Sequence, residues 1–392
     1  MTPTTAAFDD DQRFLRQGER PDYEGGALAL RVADLFAGCG ALSLGLAEAA
    51  HRLGAAFDLR LAVEEDRDAA EVFQANFPQA KMRQTKVEAL FDGELGASLT
   101  SREKRLAAQV GPLDAIVAGP PCQGHSSLNN HTRPDDPRNT LYARVVRAAE
   151  VLQPALVVTE NVPGVVRDRQ SAIPAAVGHL KELGYKVEHR TVDVETLGVP
   201  QRRRRHLLIA GRGLDPGTAF GALIESDVVL RDLRWAIGDL SAVEPASPFD
   251  SPSVLSHENR KRARWLVENN KYDLPNRLRP PCHADRDHTY KSMYGRLRWD
   301  HPAQTVTTGF GSPGQGRYLH PAHARTITPH EAARLQTIPD FFSFDSATRR
   351  GAWARMIGNA VPPLLSLRLG LELLPELIEP NQTESGELME VA

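Results

Sequence analysis

Short apolar runs rich in β-branched residues recur in the first half of the chain and predict strands. The clearest runs cover residues 31–36, 58–65, 113–119, 155–161, 186–194 and 205–211. Stretches rich in Ala, Leu and Glu separate them and are long enough for helices. Alternation of strand and helix is typical of βαβ units. The pattern therefore predicts an α/β fold with a mostly parallel, doubly wound sheet.

The alternation stops near residue 212, where segments containing Pro, Arg and Trp without helical periodicity begin. This change predicts a smaller domain over residues 213–344, inserted into a main domain formed by residues 28–212 and 345–392. Residues 1–27 lack apolar periodicity and are expected to form a flexible tail, as are the residues from Pro380 onward.

Helical patterns return near the end of the chain. A helix is predicted to begin after Thr328, because Thr is a good N-cap and both Pro329 and Glu331 suit a first turn. Another is predicted over residues 364–373.

Composition narrows the classes of function. The chain has 392 residues and 47 Lys and Arg against 50 Asp and Glu, so any electrostatic binding of nucleic acid requires local basic patches. Three cysteines without a CxxC pair support neither a disulfide framework nor a zinc ribbon. No apolar run approaches the ~18–20 residues that span a bilayer, and the polar N-terminus is unlike a signal peptide. We expect a cytoplasmic protein that binds no membrane.

The first predicted strand ends in a glycine-rich turn, DLFAGCG at residues 34–40. Such a turn lets a ligand approach the backbone at the edge where open α/β sheets bind nucleotides. Ser43 replaces the third Gly of the dinucleotide fingerprint, which disfavours a pyrophosphate. The next strand ends in VEED, residues 63–66, where a carboxylate can accept hydrogen bonds from ribose hydroxyls. We predict a nucleoside pocket; a tight turn without a ligand is the alternative.

Three further motifs place reactive side chains just past or before predicted strands. GPPCQG, residues 119–124, carries Cys122 in a loop that is hard to reconcile with burial as a small apolar residue. Glu160 ends a strand, where a helix cap or a solvated position is the alternative reading. QRRRR, residues 201–205, leads into a buried strand, so alternate arginines are expected to point inward.

Taken in order, these motifs resemble those of the DNA (cytosine-5)-methyltransferase family. The resemblance spans nearly the whole chain and adds DPRNTL at 136–141, RLRWDHPAQTVTTG at 296–309 and GNAVPP at 358–363. It implies a Rossmann-like, S-adenosylmethionine-dependent methyltransferase sheet with a smaller inserted target-recognition domain. It also implies methyl transfer to C5 of a flipped-out cytosine in duplex DNA, through a covalent intermediate.

The resemblance further implies roles for individual residues. Cys122 matches the thiol that adds to cytosine C6, and Glu160 matches the acid that neutralises the ring at N3. Arg203 and Arg205 match the two arginines of the QxRxR motif beside the catalytic centre, while Arg202 and Arg204 face elsewhere. S-adenosylmethionine is expected to contact Phe36, Gly38, Gly40, Glu64, Pro121, Leu141 and Asn359. No metal ion is implied.

The sequence departs from the family pattern at three places. His125 replaces a Phe, and Ala41 replaces a Gly in the glycine-rich turn. Residues 84–88, QTKVE, stand where the family often has an Asp that contacts the adenine amino group. Either Glu88 substitutes for that Asp or the contact is missing.

Duplex DNA is the expected partner, together with a separate restriction endonuclease if the protein belongs to a restriction–modification system; we expect a monomer. The polar loop 124–133 suits closure over a flipped base, with a floppy linker as the alternative. Phosphate contacts are expected from a basic cluster that could otherwise be merely solvated: Arg260, Lys261, Arg262 and Arg264. The recognition segment has the size of one module, so we expect one short target sequence.

Three alternatives to a DNA methyltransferase remain. A tRNA cytosine methyltransferase would share the motifs, but A-form RNA needs a different surface. A nucleotide-dependent oxidoreductase would share the sheet, yet the missing third Gly and the placed Cys and Glu count against it. A catalytically silent DNA-binding relative would not need to retain thiol, acid and both arginines.

Overall fold

The computed structural model describes most of the chain, namely residues 3–121, 141–167, 172–225, 229–242, 244–281, 283–284 and 292–378. The strands within this part are β1 Leu28–Leu35, β2 Ala55–Glu64, β3 Met82–Gln84, β4 Ala115–Ala118, β5 Leu156–Asn161, β6 Lys186–Asp193, β7 Gln201–Arg202, β8 Arg204–Gly211 and β9 Ala303–Gln304.

The helices of the described residues surround these strands. In the first half they are α1 Pro3–Arg16, α2 Ala41–Arg52, α3 Arg67–Asn76, α4 Val87–Leu90, α5 Ser101–Val110, α6 Leu141–Leu152 and α7 Ala172–Glu182. The second half has α8 Pro216–Glu225, α9 Leu233–Ile237, α10 His257–Glu268, α11 Pro329–Leu335, α12 Arg350–Asn359, α13 Pro363–Leu373 and α14 Pro375–Ile378. None of these helices is long and apolar enough to cross a membrane.

A seven-stranded sheet in the order β3-β2-β1-β4-β5-β8-β6 forms the centre of the protein. The strands from β3 to β5 pair in parallel, whereas β8 runs antiparallel to both of its neighbours. Each of the six apolar runs overlaps one of these strands, so the prediction of a mostly parallel α/β sheet is confirmed. Strand order reverses between β1 and β4, and a crevice at such a switch point is where open α/β sheets bind ligands.

Apolar side chains cover both faces of this sheet. Val157 and Val158 are neighbours on β5, yet they belong to separate buried clusters on opposite faces, because successive side chains of a strand alternate. Ten residues of α2 are buried, and α2 lies against α13. Gly45 permits this contact, because a Cβ there would lie 2.1 Å from the carbonyl oxygen of Pro363.

The predicted helix starts near the end of the chain are also confirmed. Thr328 caps α11 by accepting a hydrogen bond from the Glu331 N–H, and the Glu331 side chain reaches back to the Thr328 N–H. This reciprocal arrangement satisfies two of the free N–H groups at a helix start. The predicted helix over 364–373 is α13.

The prediction of a flexible tail over residues 1–27 is wrong for the part that the structure describes. Residues 3–16 form α1, and three apolar side chains beyond its middle are at most 2% exposed: Phe14, Leu15 and Tyr23. Asp11 is fully buried and pairs with Arg231, with an N–O separation of 2.5 Å. The sequence did not reveal this helix because its few buried apolar residues are irregularly spaced and show no helical periodicity. Nor can the sequence show that an aspartate such as Asp11 is buried and not solvated.

Residues of the predicted inserted domain divide between two cores. Leu255, Leu266 and Leu319 belong to a small separate cluster around α10. Phe220 of α8 and Leu335 of α11, by contrast, belong to the main cluster of the sheet. The described part of 213–344 therefore shares much of its apolar surface with the main core, and its boundaries stay a prediction.

A charged clamp holds residues 247–251 against α11. The ring nitrogens of His330 lie 2.8 Å from Asp250 and 2.9 Å from Asp340, while Phe249 stacks on the ring at 5.9 Å. Burial disfavours the charged ring, but the hydrogen bonds to Asp340 and Asp250 raise the pKa of His330 overall. In the sequence, residues 247–251 come shortly before Leu255 and α10, which contribute to the small core.

Candidate active site

Most of the predicted site residues line one open cleft of about 2440 Å³ at the carboxyl edge of the sheet. The candidates along its wall are Phe36, Gly38, Glu64, Pro121, Leu141, Glu160, Arg203, Arg205 and Asn359. Cys122 lies outside the described residues, as do His125 and the loop 124–133. The structure thus brings the expected cofactor residues, except Gly40, and the expected acid to a single site.

The glycine-rich turn forms one end of this cleft. The Glu64 carboxylate accepts hydrogen bonds from the N–H groups of Gly38 and Asp66, each 2.8 Å long. Gly38 is left-handed at φ 56°, and no atom lies within 4 Å of the position that a Cβ would occupy. Burial raises the pKa of Glu64. The turn therefore presents open backbone beside a carboxylate.

Gly40 has a different position from the one expected. It is not among the residues that line the cleft; it precedes α2 with φ 95°. A Cβ at Gly40 would lie 2.9 Å from the rings of both Phe73 and Phe77. Packing and backbone conformation account for this glycine.

Two buried side chains of the same turn were not predicted as titratable groups of the site. Asp34 is 1% exposed and accepts a 2.6 Å hydrogen bond from Ser43, and burial raises its pKa to about 7. Cys39 is 3% exposed, and burial raises the pKa of its thiol to about 12. A thiol so hard to ionise is a poor nucleophile. The available sequence signal was their position: both residues lie at or just after the end of an apolar run, where burial is expected.

Glu160 and Arg205 meet where β5 and β8 run side by side. Arg205 Nε lies 2.5 Å from Glu160 Oε1, and the two side chains are 12% and 10% exposed. The GPP segment abuts this pair: a Cβ at Gly119 would lie 4.0 Å from Glu160 Oε2, and Asn161 donates to the Pro120 carbonyl at 3.5 Å. Pro121, the last described residue before Cys122, also lines the cleft.

The run of arginines alternates as expected for a strand. Arg202 and Arg204 are exposed and lie near Glu195 and Asp193 respectively, at 3.7 Å and 3.1 Å. Arg203 is 3% exposed, so the prediction that alternate arginines point inward is confirmed.

Arg203 was expected at the catalytic centre beside Cys122; because Cys122 lies outside the described residues, that role stays a prediction. Its guanidinium donates to the main-chain carbonyls of Val306, Gly358 and Ala360, at 2.9, 3.2 and 3.0 Å. A planar fork with five N–H donors can span several acceptors in this way. These contacts tie two walls of the cleft together.

Charged side chains of both signs line the cleft, with carboxylates concentrated near the glycine-rich turn and arginines concentrated in the opposite part. Carboxylates gather around the glycine-rich turn: Asp34, Glu64, Glu65, Asp66 and Glu88. Guanidinium groups line the opposite part: Arg202, Arg204, Arg205, Arg279 and Arg317. Four of them are near carboxylates of the same wall, namely Glu195, Asp193, Glu160 and Asp273. Among the described residues, no group of three or more His, Cys, Asp or Glu is placed to hold a metal ion.

Comparison with known proteins agrees with this geometry. Residues 30–374 match the family described as C-5 cytosine-specific DNA methylase. The chain belongs to the C-5 cytosine-specific DNA methylase family. Its activity is therefore that of a DNA (cytosine-5)-methyltransferase, and the resemblance inferred from the motifs is confirmed.

Named relatives and solved structures extend this match over most of the methylase. It is 44% identical over 365 residues to Type II methyltransferase M1.BsuMI of Bacillus subtilis (strain 168), covering 93% of this chain and 85% of that one. Type II methyltransferase M1.HphI of Haemophilus parahaemolyticus is 29% identical, with 86% and 85% covered.

Two solved structures share the fold of the methylase. A candidate DNA modification methyltransferase encoded within an E. coli prophage has a TM-score of 0.61 at 26% identity, and covers 89% of this chain and 100% of its own. The S. pombe Dnmt2 methyltransferase has a TM-score of 0.61 at 17% identity, with 89% and 99% covered. The predicted methyltransferase fold is thus confirmed.

Proposed function

We propose that this methylase transfers a methyl group from S-adenosylmethionine to a flipped-out cytosine of duplex DNA through a covalent bond to Cys122. The observation that carries the proposal is the Glu160–Arg205 pair, 2.5 Å apart, against which the Gly119–Pro121 segment packs. Cys122 follows that segment directly in the sequence. An acid, a cation and the approach to a thiol thus share one cleft.

The acidic end of the cleft fits S-adenosylmethionine. The space beside Gly38 would accept a ligand against the backbone, and Glu64 at the end of β2 would bind the ribose hydroxyls. When bound, S-adenosylmethionine supplies an electrophilic methyl group on a positively charged sulfur. Carboxylates around the turn, where they are ionised, favour such a cation electrostatically. Glu88 lines the same end of the cleft and would replace the expected Asp at the adenine.

The chain's own groups would activate the cytosine. The Cys122 thiolate adds to C6, and Glu160 holds a proton at N3, so that the added electron density ends as an enamine with a nucleophilic C5. After C5 has gained the methyl group, a base removes the C5 proton, the N3 proton returns to Glu160 and the thiolate leaves C6. This sequence returns a free thiolate and restores the aromatic ring. Arg205 would stabilise the negative charge that accompanies both the thiolate and the Glu160 carboxylate.

The basic end of the cleft would hold the nucleic acid. Arg204 and Arg202 are exposed there, and neutralising phosphates with such groups gives affinity that falls with salt. Three cations of the α10 cluster are exposed, although no residue of α10 lines the cleft, and Arg262 donates to the Leu278 carbonyl at 2.9 Å. A polyanion bound to Arg202 and Arg204 would share the cleft with Glu160, and the base would reach Glu160 by leaving its stack.

Covalent trapping on duplex DNA that contains 5-fluorocytosine tests the mechanism, since fluorine at C5 prevents release of the enzyme. The wild-type protein should form a complex stable to denaturant when S-adenosylmethionine is present. Cys122→Ser should form none while still binding S-adenosylhomocysteine, and Glu160→Gln should trap about 10²–10⁴-fold more slowly. Cys282→Ser is the matched control and should trap normally. Trapping by Cys122→Ser at the wild-type rate would overturn the mechanism.

We also propose that the protein modifies one short target within a Type II restriction–modification system. The proposal is supported by 44% identity to a relative named as a Type II methyltransferase. Bisulfite sequencing of plasmid from cells expressing the protein should show one methylated motif. Tritiated S-adenosylmethionine with plasmid or tRNA provides the counter-test, because label in tRNA alone would replace DNA by RNA as the substrate.

A further inference from the structure

Two loops that line the cleft are joined by a buried polar cluster. One is residues 305–309, on the basic side; the other, 358–361, comprises the last two residues of α12 and the two that follow, and includes Asn359 on the cofactor side. Between them lie Gln201, Arg203 and Gln336, which are 0%, 3% and 0% exposed. We refer to these three side chains as the hub.

Arg203 contacts both loops with one side chain. One terminal nitrogen donates to the Val306 carbonyl of the first loop, and the other donates to the carbonyls of Gly358 and Ala360, on either side of Asn359. A hydrogen bond from a charged group is stronger than a neutral one, and burial increases the cost of breaking it. Movement of either loop would therefore disturb the contacts of the other.

The two glutamines form a second link between the same loops. Gln201 Oε1 accepts from the Val306 N–H at 2.9 Å, and Gln201 Nε2 donates to Gln336 Oε1, also at 2.9 Å. Gln336 Nε2 in turn donates to the Ile357 carbonyl at 2.6 Å, directly before the second loop. The amide groups thus continue the connection that Arg203 makes.

Direct backbone contact completes the connection. A Cβ at Gly358 would lie 2.3 Å from the Thr308 nitrogen and 2.5 Å from the Thr307 carbonyl carbon, so glycine lets the loops touch. Tyr318 stiffens the first loop, since its hydroxyl donates to the Thr305 carbonyl at 2.9 Å and contacts Thr307 Oγ1 at 2.9 Å. Packed, hydrogen-bonded backbones of this kind do not yield independently.

We propose that Arg203 is a positioning residue that couples the cofactor site to the DNA site. Binding of the nucleoside cofactor against Asn359 restricts the motion of residues 358–361. Through the contacts of the hub, it also restricts the motion of residues 305–309, which face DNA. The second ligand then binds a surface that is already ordered, and the effect is reciprocal by linkage. This inference depends on the proposed function, because it takes the two ends of the cleft as the sites of these ligands.

The coupling factor is the ratio of duplex dissociation constants without and with saturating S-adenosylhomocysteine. It would be measured by fluorescence anisotropy on a labelled duplex carrying the motif found by bisulfite sequencing. For the wild type we expect a factor between about 5 and 150. In Arg203→Lys the factor should fall toward one, because a single ammonium cannot span carbonyls of both loops. Arg204→Gln, the matched control, should weaken duplex binding equally with and without S-adenosylhomocysteine and keep the wild-type factor.

A measurement on the unmodified protein covers the case in which Arg203→Lys fails to fold. Hydrogen exchange should show that S-adenosylhomocysteine alone slows exchange at the amides of residues 305–309 as well as near residue 359. Gly358→Ala, whose added methyl group would clash with Thr307 and Thr308, should lose the protection at 305–309 even at S-adenosylhomocysteine concentrations that calorimetry shows to saturate the variant. Unchanged exchange at 305–309 in the wild type, or a full coupling factor in Arg203→Lys, would overturn the inference. Absence of S-adenosylhomocysteine binding to the wild type would instead refute the proposed function.

Discussion

The buried carboxyl group of Asp34 leads to a quantitative prediction about stability and pH. Burial raises its pKa from the ordinary 3.8 to about 7. Between these values the folded protein keeps a proton that the unfolded chain has lost, so the free energy of unfolding falls as pH rises and is lowest above pH 7. A shift of about three units corresponds to roughly 4 kcal/mol.

Asp34→Asn should remove this loss of stability. The amide oxygen of Asn can still accept the hydrogen bond from Ser43, but the side chain never ionises. The variant should therefore exceed the wild type by under about 2 kcal/mol at pH 5 and by roughly 4 kcal/mol at pH 8. Urea denaturation followed by circular dichroism at both pH values measures the difference.

The control for this prediction is Asp345→Asn. Asp345 also accepts a hydrogen bond from a serine, Ser343, at 3.0 Å, but it is exposed. This variant should show no gain that grows with pH. Equal stability of Asp34→Asn and the wild type at pH 8, or the same gain at both pH values, would refute the reasoning. If the carboxylate also attracts the cofactor, Asp34→Asn should bind S-adenosylmethionine more weakly despite its greater stability.

Three further predictions concern buried or clamped side chains. Arg147→Met should lower the free energy of unfolding, measured by urea denaturation, by about 3–5 kcal/mol. The reason is that Glu103, which is fully buried and 2.7 Å from Arg147, would keep an unpaired charge. An unchanged free energy of unfolding would contradict this prediction. His330→Gln should reduce the melting temperature most below about pH 6.5, and progressively less as the pH rises through the raised pKa of His330 in the folded protein. A difference in melting temperature between variant and wild type that does not change with pH would argue against the clamp. Tyr318→Phe should cost about 1–3 kcal/mol of stability in thermal denaturation, since the three hydrogen bonds of its hydroxyl are lost. An unchanged melting temperature would count against this prediction.

Local patterns in the sequence carried most of the fold and much of the site. The β-branched runs were enough to predict six strands of the sheet, and Thr328 with Glu331 was enough to predict the start of α11. Both signals depend only on residues close together in the chain. Short motifs at strand ends sufficed to group Gly38, Glu64 and Glu160. Carboxyl ends of parallel strands meet at one edge, so such residues converge whatever the details of packing.

Tertiary structure alone decided which groups are buried and what they contact. In sequence Arg203 and Arg205 are alike, yet one binds carbonyls from segments more than a hundred positions away and the other pairs with Glu160. Asp11 resembles a solvated residue until Arg231 is brought to it. Burial and pairing depend on contacts between distant parts of the chain, and these contacts determine charge state and role. The sequence by itself therefore determined the family and the motifs, while folding decided how the charges of the cleft are divided and joined.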